Sequence, residues 1–376
     1  RPAPPRGRPP RRSAYRAVIK RDRYAIVIAA VVLLALGGLL TAATLAGAPV
    51  PRVANRAGQA VHRTGPRLLA GASLSTAAVT FSPDGALVAS GDINGHAYLW
   101  DTATGQRTAT LANFANRAGT RIPSANSVAF SPSGGMLAVG DSNGSTYLWD
   151  VATAKNTAVL IDAGTSRNSA VKAVAFSPGG ALLATGDCNG ASYLWNLSTL
   201  KNIAVLADPA TGGACVTSVA FSPDGTMLAT GDTNGRAYLW NLVTQRVAAV
   251  LNNGSPVSSV AFNPGGTILA TGNKRGTDLW VAATGELAGK LAAPVGVRDV
   301  SALAFAPGGK MLAAGNSEGS TVLWDITAER RAATLVDPPG TGGTPTGVNA
   351  VAISPDGSTL AVGDFNGTYL WNIRRP

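Results

Sequence analysis

Five aspartates are the residues of this sequence whose type and spacing most resemble a ligand set for a metal ion. Asp92, Asp141, Asp187, Asp232 and Asp364 each begin an Asp-x-Asn-Gly tetrapeptide, a pattern rich in the oxygen ligands that calcium prefers. A calcium site, however, needs about six to eight converging ligands, whereas each of these aspartates stands alone in a short turn. The sequence therefore predicts turn formation at these positions and no metal site.

Catalytic chemistry has equally few candidates. The chain contains two histidines, His62 and His96, so a Ser–His–Asp arrangement can hardly be assembled from it. No Gly-rich loop is followed by Lys-Ser or Lys-Thr in the pattern that cradles phosphate. We therefore predict no catalytic residue, no cofactor and no metal ion, and we do not expect an enzyme.

The aspartate turns belong to a larger unit that recurs along the chain. Its clearest marker is a tryptophan that follows an apolar anchor, such as Phe221, after 18 or 19 residues. The markers account for all seven tryptophans of the chain: Trp100, Trp149, Trp195, Trp240, Trp280, Trp324 and Trp371. Recurrence at such a period indicates an architecture built from repeated supersecondary units.

The unit Ser218–Leu251 shows how each repeat is expected to fold. SVAF predicts a first strand, Ser-Pro-Asp-Gly a turn, and MLAT a second strand that ends at an Asn-Gly hairpin signal. AYLW, with Trp240, predicts a third strand, and RVAAVL a fourth. Four antiparallel strands per repeat of about 40–50 residues are typical of propeller blades, which bury their faces only by stacking in a ring. The predicted fold is an all-β, seven-bladed β-propeller.

These units resemble the WD repeat. In six of the seven units the tryptophan is followed by Asp or Asn, which matches the closing dipeptide of that family. The five turn aspartates match its structural aspartate, which Asn273 and Asn316 replace in units five and six. The family's Gly-His dipeptide is absent, so we expect the turn aspartates to accept only local backbone N–H groups. The resemblance implies a monomeric, non-enzymatic scaffold that recognises a protein or a cell-envelope ligand.

The net charge of +11 is concentrated at the N-terminus. Residues 1–23 hold nine Arg or Lys and one Asp, a net +8, which leaves +3 for the remainder. A nearly neutral propeller lacks the basic stripe that nucleic-acid binding requires, so we predict no nucleic-acid partner. Residues 1–24 are predicted to form a disordered basic tail.

An uncharged apolar segment follows the tail. Ala25–Ala48 is long enough to cross the hydrocarbon core of a membrane, so it is predicted to be a transmembrane helix. A cleaved signal peptide ending near Ala48 is the alternative. The excess of basic residues before the segment places the tail in the cytoplasm and the propeller outside the cell membrane.

The remaining boundaries follow from the repeats. Residues 49–63 are predicted to be a tether and residues 64–376 the propeller. The last unit ends soon after Trp371, without a fourth strand of its own. Residues near 64–70 are therefore expected to complete the last blade and close the ring, which removes two exposed sheet edges.

The loops point to one face of the propeller. Fourth-to-first connections vary in length and emerge beside the second-to-third turns, and loops on a rigid scaffold are where recognition usually lies. The candidate binding residues are Ile93, Phe114, Arg117, Arg121, Lys274, Arg275, Arg298, Asp299 and Phe365. Cys188 and Cys215 fall on the same face in adjacent blades. In an extracytoplasmic domain they are expected to form a disulfide, and two free thiols are the alternative.

Two other functions stay open. A basic segment, a single span and an outer propeller resemble the juxtamembrane and sensor parts of bacterial transmembrane Ser/Thr protein kinases. The chain would then be the signalling sensor of a kinase domain that lies upstream. A periplasmic propeller enzyme would require a cluster of titratable groups in the central channel, which the Ala-, Ser- and Gly-rich first strands do not supply.

Overall fold

The computed structural model describes residues 65–69, 75–112, 123–161, 169–207, 214–292, 299–339 and 346–374. Within these ranges the chain forms seven antiparallel, four-stranded sheets, and the prediction of an all-β, seven-bladed propeller is confirmed. The segments predicted to be tail, transmembrane helix and tether lie outside the described residues. Each sheet is a meander whose first strand lies innermost and whose fourth strand lies outermost.

The strands of the first four blades follow chain order after β1 (Arg67–Leu68), which belongs to blade seven. Blade one comprises β2 (Thr76–Phe81), β3 (Leu87–Asp92), β4 (Ala97–Asp101) and β5 (Arg107–Leu111). Blade two comprises β6 (Ala125–Phe130), β7 (Met136–Asp141), β8 (Ser145–Asp150) and β9 (Lys155–Ile161). Blade three comprises β10 (Val171–Phe176), β11 (Leu182–Asp187), β12 (Ala191–Asn196) and β13 (Lys201–Ala207). Blade four comprises β14 (Val216–Phe221), β15 (Met227–Asp232), β16 (Arg236–Asn241) and β17 (Arg246–Asn252).

The last three blades repeat this plan. Blade five comprises β18 (Val257–Phe262), β19 (Ile268–Asn273), β20 (Gly276–Val281) and β21 (Leu287–Ala292). Blade six comprises β22 (Val300–Phe305), β23 (Met311–Asn316), β24 (Ser320–Asp325) and β25 (Arg330–Val336). Blade seven comprises β26 (Val348–Ile353), β27 (Thr359–Asp364) and β28 (Gly367–Asn372), together with β1.

The ring closes between blades seven and one. Neighbouring first strands contact one another around the whole ring, and β26 contacts β2. Blade seven takes its outermost strand from the other end of the propeller, because Arg67 pairs with Leu370 and Leu68 with Tyr369. The two ends of the propeller are therefore joined within one sheet.

A glycine near the end of each second strand lets the next blade approach closely. A Cβ atom built on Gly186 would lie 2.6 Å from Cγ1 of Val216, which is in the first strand of blade four. The equivalent glycines are Gly91, Gly140, Gly186, Gly231, Gly272, Gly315 and Gly363. At each of them a Cβ would come within 2.4–2.8 Å of the following blade. The first strand of that blade occupies the space that any other side chain would need.

The hydrophobic core lies between blades. Each buried cluster combines neighbouring sheets, as where Leu148 of blade two packs with Leu183 of blade three. The seven tryptophans are all buried, with at most 8% of each exposed. Several indoles donate to a hydroxyl on the second strand of their own blade, as Trp100 Nε1 does to Ser90 Oγ at 2.9 Å. The repeated tryptophan therefore fixes the third strand against the second.

Short polar side chains on the first strands tie neighbouring blades together. Thr217 Oγ1, for example, donates to the Val257 carbonyl of the next blade at 2.5 Å. The donors that bond a carbonyl in this way are Asn126, Thr217, Ser258, Ser301 and Asn349. Ala77 and Lys172 occupy this position in blades one and three, and they do not supply such a donor to the following blade.

We expect Gly186→Ala to destabilise the propeller by about 1–3 kcal/mol, because the new methyl group overlaps Val216 and must displace the first strand of blade four. Thermal unfolding of the full chain measures this. A double-mutant cycle with Val216→Ala should show favourable coupling, since the smaller side chain relieves the overlap.

Gly179→Ala is the matched control in the same blade, because no atom lies within 4 Å of a Cβ built on Gly179. That variant should stay within about 0.5 kcal/mol of the original chain. Equal unfolding temperatures for the Gly186 and Gly179 variants would contradict the close approach of the blades.

Candidate recognition face

The second-to-third turns and the fourth-to-first connections lie at the same end of the ring. The Cys188 N–H donates to the Ala170 carbonyl at 3.1 Å, and the Thr233 N–H donates to the Cys215 carbonyl at 3.1 Å. In each case a turn residue bonds the residue directly before the first strand of its own blade. We call this end of the ring the loop face. The first-to-second and third-to-fourth turns form the opposite face.

Each turn aspartate holds its turn through one carboxylate oxygen. Asp92 Oδ1 accepts the Asn94 N–H at 2.9 Å and the His96 N–H at 2.8 Å. Gly95 has a φ of 81°, a conformation that favours glycine and explains the Asn-Gly signal. In blade five, Asn273 Oδ1 accepts the Arg275 N–H at 2.7 Å, so an amide performs the same task. These bonds fix the height and direction of the turns on the loop face.

The prediction that the turn aspartates accept only local backbone N–H groups is wrong. Asp187 Oδ2 accepts the Ser169 hydroxyl at 2.8 Å, and Asp364 Oδ2 accepts the Thr346 hydroxyl at 2.8 Å. Both hydroxyls come from the residue two positions before the first strand. A buried carboxylate is stabilised by more than one donor, and the fold brings these side chains beside the turn. They tie the fourth-to-first connection to the blade.

Four of the nine predicted binding residues are exposed at turn tips of the loop face. Ile93 is 47% and Phe365 52% exposed, and Lys274 and Arg275 are also exposed. Asp299 is half-buried before β22, where its carbonyl accepts the Ser317 N–H at 3.1 Å. The other predicted residues lie outside the described ranges: Phe114, Arg117, Arg121 and Arg298.

Sequence reasoning missed Lys172, the second residue of β10. Its side chain is exposed at a position where five other first strands carry Asn, Thr or Ser and that of blade one carries Ala77. Among the seven first strands it is the one charged residue, and it lies at the end of β10 nearest the loop face. A lysine in an otherwise small and polar strand was the signal available in the sequence.

The described residues offer little for metal chemistry or membrane crossing. Among them, no group of three or more His, Cys, Asp or Glu side chains is placed to hold a metal ion. In the same ranges, no helix has the length and apolar character needed to span a bilayer. The predicted transmembrane segment lies outside these ranges.

A disulfide joins two blades on the loop face. Cys188, in the second-to-third turn of blade three, is bonded to Cys215, directly before the first strand of blade four. This is the junction where Lys172 replaces the Asn, Thr or Ser that bonds the next blade at several other junctions. The bridge therefore holds together two blades whose first strands lack the side-chain bond found at several other junctions.

Asp337 links blades six and seven. In blades one, three, four and five the tryptophan indole donates to a hydroxyl of the second strand. Blade seven has Val362 at that position, and Trp371 Nε1 donates to Asp337 Oδ1 at 2.8 Å. Asp337 is 3% exposed. Burial raises the pKa of Asp337 to about 7; the Trp371 hydrogen bond opposes this, and the charge of Asp364 adds to it. The side chain thus takes up a proton close to neutral pH.

The comparison with known families agrees with the geometry. The family model "WD domain, G-beta repeat" matches residues 60–101, 120–150, 161–196, 201–241, 246–278, 290–325 and 339–372, more than half of the chain. The chain belongs to the WD-repeat family. Each of the seven matched segments carries one of the blade tryptophans or, in blade five, ends just before it. No curated protein matched the chain in a direct comparison.

The disulfide predicts a specific labelling pattern. Chain isolated with thiols blocked at lysis and then denatured should take up no maleimide before reduction and two maleimides per chain after reduction. Mass spectrometry counts the labels. Uptake of two labels before reduction would show free thiols at Cys188 and Cys215.

Asp337→Asn should change how stability depends on pH. The pKa of Asp337 is about 7 in the folded chain and about 3.9 when unfolded, so the folded state holds the extra proton between these values. The protonated Asp337 therefore makes its full contribution to the free energy of unfolding below about pH 4, and this contribution is lost as the pH rises to about 7.

Asparagine can still accept the Trp371 hydrogen bond but carries no charge. The unfolding temperature of the variant minus that of the original chain should therefore increase from pH 5 to pH 8. Between pH 5 and pH 8 the free energy of unfolding of the variant should rise relative to that of the original chain by an amount on the order of a few kcal/mol. A difference that stays constant with pH would contradict the assignment.

Proposed function

We propose that this WD-repeat propeller is a membrane-anchored scaffold that binds a protein partner through its loop face. The observation that carries the proposal is an apolar pair at two adjacent turn tips. Phe365 of blade seven is 52% exposed and Ile93 of blade one is 47% exposed. Large apolar side chains clustered on an exposed surface are typical of protein interaction sites.

The scaffold beneath this pair is rigid. Phe365 and Ile93 follow Asp364 and Asp92, which are buried and hydrogen-bonded into their turns. A partner that covers the pair would lose little conformational freedom in the propeller, because the turns are already held in place. WD-repeat propellers generally bind proteins, which supports the same function.

The membrane part of the proposal rests on the sequence. Ala25–Ala48 is uncharged, and basic residues are concentrated in the segment before it. In this proposal the propeller faces the extracytoplasmic side of the membrane, where a disulfide such as Cys188–Cys215 is stable. The same features support the second candidate function, the sensor part of a transmembrane Ser/Thr kinase. In both cases the loop face carries the recognition.

Site-specific photocrosslinking tests the proposal. Benzoylphenylalanine placed at Phe365 or Ile93 in the full chain should crosslink a discrete protein in cells of the source organism. Leu200 and Val243 are the matched positions on the opposite face, because they are also exposed apolar residues on turns of adjacent blades. They should give no crosslink to that protein.

The outcome also decides which face is used. Crosslinks from Leu200 and Val243 alone would place the partner on the opposite face and overturn the proposal. If Phe365 and Ile93 instead crosslinked an envelope component that is not a protein, the partner would belong to a different chemical class. The loop face would still be the binding surface.

A further inference from the structure

The shortest fourth-to-first connection of the loop face joins blades four and five. Leu251 is followed by the next apolar anchor, Phe262, after 11 residues, whereas the other connections span 14–19 residues from leucine to anchor. The short connection also lies close to the blade. The Asn253 N–H donates to the Gly235 carbonyl at 3.0 Å, and the Asn253 side chain is 4% exposed. The connection therefore lies against the second-to-third turn of blade four.

Three basic residues lie beside this connection. Arg236 begins β16 and pairs with Asn252, at the start of the connection. The Arg275 guanidinium lies over the connection, where a Cβ built on Gly254 would be 3.3 Å from one of its nitrogens. Lys274 is the adjacent, exposed residue of the same turn. We call Arg236, Lys274, Arg275 and residues 252–256 the basic notch.

Gly254 is part of what makes room for the guanidinium. Its φ is 69°, so a residue with a side chain would be strained at this position. Such a side chain would also meet Arg275. The connection thus brings a flat backbone under an arginine that is exposed to solvent.

Nearby carboxylates are buried and already bonded. Asp232 is 2% exposed, and its Oδ1 accepts the Arg236 N–H at 2.8 Å. Asp278 is 5% exposed, and its Oδ1 lies 2.9 Å from Lys290 Nζ. Within residues 233–236, 252–256 and 273–276 the sequence has three basic side chains and no acidic one. The surface of the notch is therefore positive.

Among the second-to-third turns, a basic tip is found in blade five. The tips of the other turns are Ile93-Asn94, Ser142-Asn143, Cys188-Asn189, Thr233-Asn234, Ser317-Glu318 and Phe365-Asn366, and none of these pairs contains Arg or Lys. The basic tip of blade five and Arg236, which begins β16, therefore lie beside the shortest connection of the ring.

We propose that the basic notch binds an acidic segment of the protein partner. This inference rests on the proposed function and names the chemistry of the partner. Arginine binds carboxylates through two parallel hydrogen bonds, and two arginines beside one flat connection suit an extended chain rich in Glu or Asp. The exposed apolar pair of blades seven and one supplies a separate contact on the same face.

Fluorescence anisotropy with a labelled dodecapeptide rich in Glu and Asp tests the proposal on the full chain in a nonionic detergent. The peptide should bind, and affinity should fall as salt is raised. The Arg236→Gln, Lys274→Gln, Arg275→Gln triple variant should bind at least about tenfold more weakly, because it loses three charge-assisted contacts.

The matched control removes the same charge elsewhere. Lys155, Lys201 and Arg246 are the exposed first residues of outer strands β9, β13 and β17, next to the opposite face. Their triple replacement by Gln should change affinity by no more than about twofold. A Gln-substituted version of the peptide should not bind the original chain.

Three results would overturn the proposal. The first is no binding of the acidic peptide, and the second is an equal loss in both triple variants, which would reflect net charge alone. The third is notch-dependent binding of vesicles containing anionic lipid without binding of the peptide, which would make a membrane surface the occupant. Crosslinking from Phe365 and Ile93 is measured independently of peptide binding. The experiments therefore distinguish failure of the proposed acidic-peptide site from failure of the proposed protein-binding role of the loop face.

Discussion

The contact between a second-strand glycine and the first strand of the next blade is the constraint on which the ring depends. At Gly315 a Cβ would come within 2.4 Å of Val348, so no other residue fits without moving a strand. The contact recurs at all seven junctions, including Gly363 against Thr76 where the ring closes. Interiors are packed to a density that leaves no spare space for a methyl group.

The position of each blade therefore depends on the position of its neighbour. The buried clusters that span two blades and the first-strand hydrogen bonds add to this constraint. The junctions are not identical, however. Blade three carries Lys172 in place of the Asn, Thr or Ser that bonds the next blade elsewhere, and the Cys188–Cys215 bridge joins blades three and four. Blade seven lacks the usual hydroxyl, and Asp337 of the preceding connection replaces it.

A closed ring holds the turns of the loop face in place. Turns held by buried aspartates display their tips at fixed positions. In the proposed function, Phe365 and Ile93 supply an apolar contact with the partner beside the closure, whereas Arg236 and Arg275 supply a charged one between blades four and five. One partner with an apolar segment and an acidic segment would match both contacts, and such a pairing of chemistries favours specificity over affinity alone.

The fold could be predicted because its signals are local. Trp240 lies in the third strand of a short unit, and Asp232 starts a turn whose Asn-Gly requires φ > 0 at one position. Neighbours in sequence decide both. The repeat then supplies the ring, because one blade cannot bury its own faces.

The details of the site depend on contacts between distant residues and were harder to predict. Ser169 bonds Asp187 across 18 residues, and nothing in either segment alone indicates this pairing. The length of the connection after Leu251 was visible in the sequence, as was the basic turn Lys274-Arg275. The position of Arg275 over Gly254, however, depends on how blades four and five pack together, which neither segment indicates by itself.

Native-state hydrogen exchange of the full chain tests the closed ring most directly. If the ring opens only as a unit, the first-strand amides of all blades should exchange with one common free energy of opening. Amides of β2 and β26, on either side of the closure, should then be as protected as those of β14. Faster exchange of β2 and β26 than of the other first strands would contradict this account. It would show that the ring opens at its closure and behaves as a linear array of blades.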